Sequence, residues 1–256
     1  MLLAIDVGNT NTVIGLFEDE EVTANWRIQT DPAATADELA VVLMGLFAIA
    51  NHQFAAVDGM VVASVVPPIQ SSWLALGRRY FSVEPLLVNR NIKTGVALKI
   101  DNPAEVGADR IVNSLAGFEF FRTALIIVDF GTAITFDCVS AKGEYLGGAI
   151  VPGLAISLEA LGRRTAKLPR VDISTPPPQA IGTNTVDAIK SGILIGYGGM
   201  VEELVKRLRA EMRPENPTVI ATGGMARLIT PYAPSIKEVL PLLTLDGLRL
   251  LHERNR

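Results

Sequence analysis

The sequence contains few of the residues that build disulfides or zinc sites. It has one cysteine and two histidines in 256 residues. A single cysteine cannot form an internal disulfide, and Cys138 lies in an alternating apolar run that predicts a buried strand position. His52 and His252 have no cysteine or histidine partner at the spacing of metal ligands, which favours a surface or packing role for both. A disulfide framework is therefore excluded and a histidine-cysteine metal site is not expected.

Long apolar segments and a strong excess of one charge are also missing. No run approaches the ~18 apolar residues that cross a bilayer, and the amino terminus enters a strand without the basic and apolar regions of a signal peptide. The formal net charge is −4. Lysine and arginine are scattered along the chain rather than gathered in a stripe that would attract a nucleic-acid backbone. We expect a cytoplasmic protein that binds neither nucleic acid nor a membrane.

The chain does contain enough apolar sequence for two compact domains. Its residues are 49% hydrophobic and 20% charged, as in ordinary globular proteins. A length of 256 residues exceeds the usual size of one domain. We place the boundary after residue 115, which gives an amino-terminal domain of residues 1–115 and a carboxyl-terminal domain of residues 116–256.

One strand and its following turn occur twice, once near the start of each predicted domain. The segment Leu3-Ala4-Ile5-Asp6-Val7-Gly8-Asn9 resembles Ile126-Ile127-Val128-Asp129-Phe130-Gly131-Thr132, and the two Asp-x-Gly units lie 123 residues apart. Two further strand patterns joined by a polar turn follow each copy, which predicts an antiparallel meander in each half. Solenoid repeats have periods of ~20–50 residues, so a duplicated domain is expected instead.

The repeated turn has the residues of a phosphate-binding loop. Small residues let backbone N–H groups approach an anion, and Asn9, Thr10, Asn11 and Thr12 can add side-chain donors. Asp6 would repel a phosphate but suits a hydrated Mg²⁺ held against the phosphate oxygens. For one copy alone an ordinary hairpin turn is the alternative. Two matched copies and a third glycine-rich segment, Ala221-Thr222-Gly223-Gly224, favour phosphate binding.

Other local patterns exclude some nucleotide sites and predict helices. The sequence has no P-loop motif, and no Gly-x-Gly-x-x-Gly follows a strand. Thr35 and Glu38 have capping-box spacing before an apolar stripe, so a helix is expected to begin at that threonine. Residues 185–212 have helical periodicity interrupted by four glycines, which indicate close packing or a break in the helix. A terminal helix is expected from Leu245 to Arg254.

Five segments together resemble one enzyme family. They are Asp6-Val7-Gly8-Asn9-Thr10-Asn11, Asp101-Asn102-Pro103, Gly107-Ala108-Asp109-Arg110, Asp129-Phe130-Gly131-Thr132-Ala133 and Gly147-Gly148-Ala149-Ile150-Val151-Pro152-Gly153. The arrangement resembles the superfamily of actin, sugar kinases and Hsp70. Within that superfamily, the residues of the five segments and their order along the chain are similar to those of type III pantothenate kinase. The resemblance implies an α/β fold of two duplicated ribonuclease H-like domains, each with a mixed five-stranded sheet flanked by helices. It also implies ATP-dependent phosphorylation of pantothenate to 4'-phosphopantothenate, the first step of coenzyme A synthesis.

The resemblance implies roles for particular residues in binding and transforming pantothenate. Asp109 matches the catalytic base, and the substrate-binding segment is Gly107, Ala108, Asp109 and Arg110, in which the guanidinium of Arg110 holds the substrate carboxylate. A charge pair on a surface helix is the alternative interpretation of Asp109 and Arg110. Thr185 matches a substrate-contacting threonine, with a helix N-cap as the alternative. Glu105 is expected to stabilise a helix start.

The nucleotide and its ions are expected at the two turns. The ATP-binding and phosphate-binding residues implied are Asp6, Val7, Gly8, Asn9, Thr10, Asn11, Thr12, Val13 and Thr132. Asp6 is the expected Mg²⁺ ligand, and Asp129 matches an acid that coordinates a monovalent cation, K⁺ or NH₄⁺, although it could also merely cap a turn. Members of the family are homodimers, and the glycine-rich segment from Gly192 to Met200 is a candidate dimer surface.

Two positions depart from the family pattern. Ile100 stands where some members carry a tyrosine, and Gly162 stands where a larger apolar residue often precedes the paired arginines. Both departures concern the pantothenate pocket rather than the phosphate chemistry. A non-catalytic regulatory relative, or another small-molecule kinase of the same superfamily, is the alternative function.

Overall fold

The computed structural model describes residues 1–89, 92–165 and 167–256. The strands in these ranges are β1 (Leu2–Val7), β2 (Asn11–Glu18), β3 (Glu21–Gln29), β4 (Gly59–Ser64), β5 (Leu86–Leu87), β6 (Leu125–Phe130), β7 (Ala133–Val139), β8 (Tyr145–Pro152), β9 (Thr218–Thr222) and β10 (Glu238–Val239). The α-helices are α1 (Ala36–Ile49), α2 (Pro67–Leu76), α3 (Ala108–Phe121), α4 (Leu154–Arg164), α5 (Thr185–Glu211), α6 (Ala226–Ile229) and α7 (Leu243–Arg254). None of the helices described is long and apolar enough to cross a bilayer.

The strands form two five-stranded sheets with the same topology. The strand orders are β3-β2-β1-β4-β5 and β8-β7-β6-β9-β10. In each sheet the first three strands in sequence form an antiparallel meander, and the last two add in parallel beside the central strand. The predicted fold class is therefore confirmed. The repeated sequence forms the central strand of each sheet, with Asp6 on β1 and Asp129 on β6.

The first compact unit consists of residues 1–96, 102–116 and 242–256. Strand β1 has no solvent-facing side, because helices cover both faces of its sheet. Leu3 and Ile5 pack with side chains of α1 and α2, including the fully buried Trp73. Leu2 and Ala4 point the other way and pack with side chains of α3 and α7. The alternation of a strand thus places β1 between two helical layers.

The helix predicted at Thr35 begins there. The backbone N–H of Glu38 donates to Thr35 Oγ1 at 3.3 Å, and the N–H of Thr35 donates to Glu38 Oε2 at 2.8 Å. This reciprocal pair is the predicted capping box. The predicted terminal helix is also confirmed, as α7. His252 of that helix packs against Gly59, and burial lowers its pKa, so its packing role is confirmed as well.

The second compact unit consists of residues 97–101 and 117–241. Apolar side chains of β6 and β7 pack with α5, and Cys138 lies in this core with 5% exposure, as predicted for a strand interior. Helix α5 runs without a break through its four glycines. Gly198 is buried against Tyr232, whereas Gly192, Gly196 and Gly199 have open space where a side chain would lie. The predicted close packing therefore occurs at Gly198, and the predicted break is wrong.

The division of the chain by contacts falls inside α3, between Ala116 and Gly117. Helix α7 follows the second unit in sequence but packs within the first, against β1, β2 and β4. The two-domain boundary after residue 115 stays a prediction.

Candidate active site

The first acidic turn is a closed hairpin between β1 and β2. Asp6 lies opposite Val13, and Val7 lies opposite Thr12, so the turn spans residues 8–11. The N–H of Gly8 donates to the carbonyl of Asn11 at 3.1 Å. A Cβ atom at residue 8 would lie 3.0 Å from the same carbonyl oxygen, which is tighter than an ordinary contact. Glycine therefore lets this turn close.

A threonine at the end of β3 holds the first turn from one side. The N–H of Thr30 donates to the carbonyl of Thr10 at 3.0 Å, and its hydroxyl donates to the carbonyl of Gly8 at 2.8 Å. The hydroxyls of Thr12 and Thr30, both buried, lie 2.9 Å apart and share a hydrogen bond. The shape of the turn is thus fixed by the protein before any anion binds, which reduces the ordering cost of binding. Sequence reasoning did not single out Thr30.

The second acidic turn repeats this construction with one residue fewer. Asp129 lies opposite Thr135 and Phe130 opposite Ile134, so the turn spans residues 131–133. The N–H of Gly153 donates to the carbonyl of Thr132 at 3.1 Å, just as Thr30 bonds to Thr10. A Cβ atom at residue 153 would lie 2.6 Å from the carbonyl oxygen of Gly131. Helix α4 starts directly after Gly153, so its amino-terminal N–H groups begin beside the turn.

The third glycine-rich segment lies against Asp129. Thr222, the last residue of β9, is in register with Asp129 on the neighbouring strand. Gly223 follows with a φ of +90°, in the region that favours glycine. A Cβ atom at residue 223 would lie 2.5 Å from Asp129 Oδ1 and 2.6 Å from the carbonyl carbon of Phe130. This backbone therefore approaches the Asp129 carboxylate more closely than any residue with a side chain would allow.

Both acids suit ions that complete their coordination with water and phosphate. In the described ranges no group of three or more histidine, cysteine, aspartate or glutamate side chains could enclose a metal ion. Mg²⁺ is commonly bound by one or two carboxylates together with waters and substrate phosphates. A single carboxylate at Asp6, at the end of β1 beside a turn of small polar residues, is the donor type that such an ion takes. The Asp129 carboxylate lies close against the Gly223 backbone, so this acid is held in place at the second turn.

Asp109 and Arg110 lie in the first turn of α3 and are half-buried. The Asp109 carboxylate folds back over Gly107, where a Cβ atom would collide with Asp109 Oδ1. The hydroxyl of Ser114 donates to the carbonyl of Arg110 at 2.7 Å. The Asp109 carboxylate therefore lies directly over the Gly107 backbone, and the pair is less exposed than a charge pair on a surface helix.

Glu105 lies outside α3. It ends a short 3₁₀ turn, Pro103–Glu105, and its carboxylate accepts a hydrogen bond from the Asn102 side-chain amide at 2.7 Å. Glu105 thus stabilises the short turn, and Asp109 is the acid in the first turn of α3. The prediction that Glu105 supports a helix start holds only for the 3₁₀ turn.

Thr185 is the exposed first residue of α5 and not its N-cap. The N-cap is Asn184, whose Oδ1 accepts from the N–H of Asp187 at 2.9 Å. The N-cap alternative for Thr185 is therefore wrong. Thr185 lines a groove of about 610 Å³ whose walls come from α4, α5 and the segment before α5, including Leu161 and Ile193. The threonine is thus free to contact a ligand in that groove.

A buried carboxylate near Asp129 was missed by sequence reasoning. Asp137 on β7 is fully buried and accepts hydrogen bonds from the hydroxyls of Tyr145 at 3.1 Å and Thr135 at 3.0 Å. Thr135 is the residue opposite Asp129. One acid inside an apolar strand pattern carries little information by itself.

At the first position that departs from the family pattern, Ile100 places an aliphatic side chain against Gly147. The Ile100 Cγ2 atom lies 3.5 Å from where a Cβ atom of residue 147 would be.

Comparison with known proteins identifies the family. Residues 2–207 match the type III pantothenate kinase family. The chain is 54% identical to a type III pantothenate kinase of Pelobacter propionicus and 52% identical to one of Geobacter sp. (strain M21), each over 256 residues and the full length of both chains.

Solved structures with low sequence identity share the fold. The activator of 2-hydroxyisocaproyl-CoA dehydratase from Clostridium difficile with bound ADPNP has 13% identity and a TM-score of 0.56, over 99% of this chain and 95% of that chain. A ROK family glucokinase from Streptomyces griseus in complex with glucose and AMPPNP has 12% identity and a TM-score of 0.54, over 98% of this chain and 99% of that chain. These likenesses agree with an actin-like ATPase fold, and the full-length identity to the bacterial relatives is far more specific. The chain belongs to the type III pantothenate kinase family.

Proposed function

We propose that this chain transfers the γ-phosphoryl group of ATP to a hydroxyl of pantothenate and so carries out the first step of coenzyme A synthesis. The observation that carries the proposal is the similarity over the full chain to relatives named for this reaction. The two acidic turns and the Gly107–Arg110 segment supply the side chains that such a reaction needs. The cytoplasm, where ATP is available, is the proposed location.

Asp109 is the proposed base and Arg110 the proposed ligand of the pantothenate carboxylate. In phosphoryl transfer the protein mainly positions the nucleophile and neutralises charge, and the proton of the attacking hydroxyl is accepted late, so a carboxylate is adequate. The guanidinium of Arg110 can meet both oxygens of a carboxylate with two N–H groups. The half-buried position of both residues supports these roles, since partial burial strengthens interactions between charges. Gly107 and Ala108 complete the proposed substrate segment.

The first hairpin is the proposed phosphate-binding loop for ATP. Its proposed contacts are Asp6, Val7, Gly8, Asn9, Thr10, Asn11, Thr12 and Val13. Asp6 would hold Mg²⁺, which neutralises phosphate charge when bound. The hydrogen bonds from Thr30 support this role, because they hold the loop in one shape.

The second hairpin is proposed to contact the nucleotide through Thr132 and a monovalent cation, K⁺ or NH₄⁺, through Asp129. Such a cation reduces repulsion among phosphates. Thr132 is exposed at the tip of the turn, and the close backbone at Gly153 and Gly223 keeps the turn and the carboxylate in place.

A homodimer formed through α5 is proposed, with Thr185 as a substrate contact in the groove beside that helix. Gly192, Ile195, Gly196 and Gly199 recur at the spacing of one helix face. Nothing lies within 4 Å of a Cβ atom built at any of the three glycines, and Ile195 is 39% exposed. Small residues let a second helix approach closely.

The dimer proposal is tested by Ile195→Glu, with the mass in solution measured by light scattering. We expect the variant to be monomeric, because a charge would be buried in the interface. Val41→Glu is the control, since Val41 is 70% exposed on α1 in the other unit and should leave the mass unchanged. An Ile195→Glu protein that stays dimeric contradicts this interface.

The kinase proposal is tested by ADP production with pantothenate present and absent, with and without potassium. We expect turnover only with pantothenate, and a loss of about 10²–10⁴-fold for Asp109→Asn. Asp37→Asn is the matched control, because Asp37 is an exposed acid in the first turn of another helix. Full activity of Asp109→Asn overturns the base assignment, and turnover that ignores pantothenate overturns the substrate.

A further inference from the structure

The carboxyl-terminal helix is bonded to α3 one turn beyond Asp109. The hydroxyl of Thr244, in the first turn of α7, donates to Asn113 Oδ1 at 2.7 Å. Asn113 is 1% exposed, so this hydrogen bond lies inside the first unit. Residues four apart on a helix lie on the same face, about 5–6 Å between Cβ atoms, so Asn113 is the neighbour of Asp109 on that face. Neither residue of the pair belongs to the proposed substrate or nucleotide contacts.

A second contact fixes how closely the two helices approach. A Cβ atom built at Gly247 of α7 would lie 2.6 Å from Val112 Cγ1 and 3.0 Å from the carbonyl carbon of Val112. A real side chain would therefore push α3 away from α7. Val112 and Leu248 are both fully buried in the core shared by the two helices, so neither neighbour can move aside without opening that core.

We propose that Thr244 and Gly247 are positioning residues that hold Asp109 in place, an inference that rests on the proposed role of Asp109 as base. Gly247 sets the distance between the two helices, and the bond from Thr244 to Asn113 sets the rotation of α3 about its own axis. The two contacts fix different movements of one rigid helix turn. A displacement of about 1 Å in a reacting group can reduce turnover by ~10²-fold. Small changes at these two contacts are therefore expected to lower the rate of phosphoryl transfer.

A purely structural role for α7 makes a different prediction. If α7 only completed the core, loss of the Thr244 bond would lower the melting temperature and leave the turnover of the folded enzyme unchanged. If the bond positions Asp109, kcat falls and KM for pantothenate rises, because Arg110 lies on the same turn of α3, while KM for ATP changes little, because the proposed ATP contacts lie on other elements. Restoring a hydroxyl at residue 244 should then restore kcat.

The experiment measures kcat, both KM values and melting curves for Thr244→Val, Thr244→Ser, Gly247→Ala and Asp109→Asn. Thr23→Val is the matched control. The Thr23 hydroxyl also donates to a carbonyl oxygen in the first unit, that of Leu16 at 3.1 Å, but on β3. We expect Thr244→Val and Gly247→Ala to lose about 10-fold or more in kcat, with Thr244→Ser and Thr23→Val close to wild type.

Each outcome decides between the assignments. Wild-type kcat in Thr244→Val, or equal impairment in Thr244→Ser and Thr244→Val, overturns the positioning role. Failure of Thr244→Val to fold at the assay temperature assigns that residue a structural role and also overturns it. Full activity of Asp109→Asn overturns the proposed base instead, so the failure of the two proposals can be told apart.

Discussion

Two adjacent glycines of α5 have opposite surroundings and should respond in opposite ways to the same substitution. Gly198 is buried, and a Cβ atom there would lie 2.5 Å from the carbonyl oxygen of Tyr232 and 2.9 Å from its carbonyl carbon. Gly199 is exposed, and nothing lies within 4 Å of a Cβ atom built on it. We therefore compare Gly198→Ala with Gly199→Ala.

The magnitudes follow from helix propensity and steric overlap. Alanine is favoured over glycine inside a helix by about 1 kcal/mol, so Gly199→Ala should raise the free energy of unfolding by about that amount. The same gain applies at residue 198, but the added methyl overlaps a backbone carbonyl, which cannot swing aside as a side-chain tip can. Overpacking of a core costs about 1–3 kcal/mol, and overlap with a carbonyl that cannot move aside places residue 198 in the upper part of that range, about 2–3 kcal/mol. We expect Gly198→Ala to be destabilised by about 1–2 kcal/mol, which separates the two variants by about 2–3 kcal/mol.

Calorimetric melting tests this expectation, with Ile195→Glu present in both variants and in the reference protein, called the wild type here, so that the proposed dimer contact at Gly199 does not contribute. A change of 1 kcal/mol shifts the melting temperature by about 2–4 °C in a domain of this size class. Gly199→Ala should therefore melt a few degrees above the wild type and Gly198→Ala a few degrees below it. A Gly198→Ala protein as stable as the wild type would refute the close packing against Tyr232. A lower melting temperature for Gly199→Ala would contradict its open surroundings.

Three further predictions concern charge, capping and the second turn. Burial raises the pKa of Asp246 from 3.8 to about 6, partly offset by Arg249, so the folded state holds the proton more tightly. The resulting stabilisation is full below pH 3.8 and is lost as pH rises through about 6. Asp246→Asn should therefore be more stable than the wild type at pH 7.5, by about 1–2 kcal/mol after discounting for solvent screening, with the difference vanishing by about pH 4 in denaturant titrations. Thr35→Ala should cost about 1 kcal/mol of stability while Thr35→Ser costs little, as measured by urea unfolding. Gly153→Ala should displace the second turn and raise KM for ATP by about 10-fold, which corresponds to a loss of about 1.4 kcal/mol in binding. Gly45→Ala, which has open space where its methyl would lie, should leave KM for ATP unchanged. Equal KM values for ATP in the two variants would remove Thr132 from the nucleotide site.

Features set by neighbouring residues were predictable from the sequence. The Thr35 capping box depends on two residues three apart, and the hairpins at Asp6 and Asp129 depend on a strand followed by small polar residues. The resemblance of five short segments then identified the family. In each case the interactions that form the feature are between residues close in sequence, or the pattern occurs twice in the chain. Such features can therefore be recognised from a single sequence.

Features set by distant packing were not predictable in the same way. The continuity of α5 through its glycines depends on burial of residues such as Val201 and Val205 in a core that local propensity ignores. The N-cap at Asn184 rather than Thr185 could not be decided, because both residue types cap helices well. The bond between Thr244 and Asn113 joins residues 131 positions apart, and only the folded chain brings them together.

The place of α7 has a consequence for how the chain matures during synthesis. Domains commonly fold from the amino terminus while translation continues. Here the apolar side of β1 that carries Leu2 and Ala4 is covered only in part, by α3, until Leu245, Leu248 and Leu251 have left the ribosome. The first unit can thus complete its core only after α7 has been made, and removal of α7 would expose residues of β1 rather than residues of the second unit.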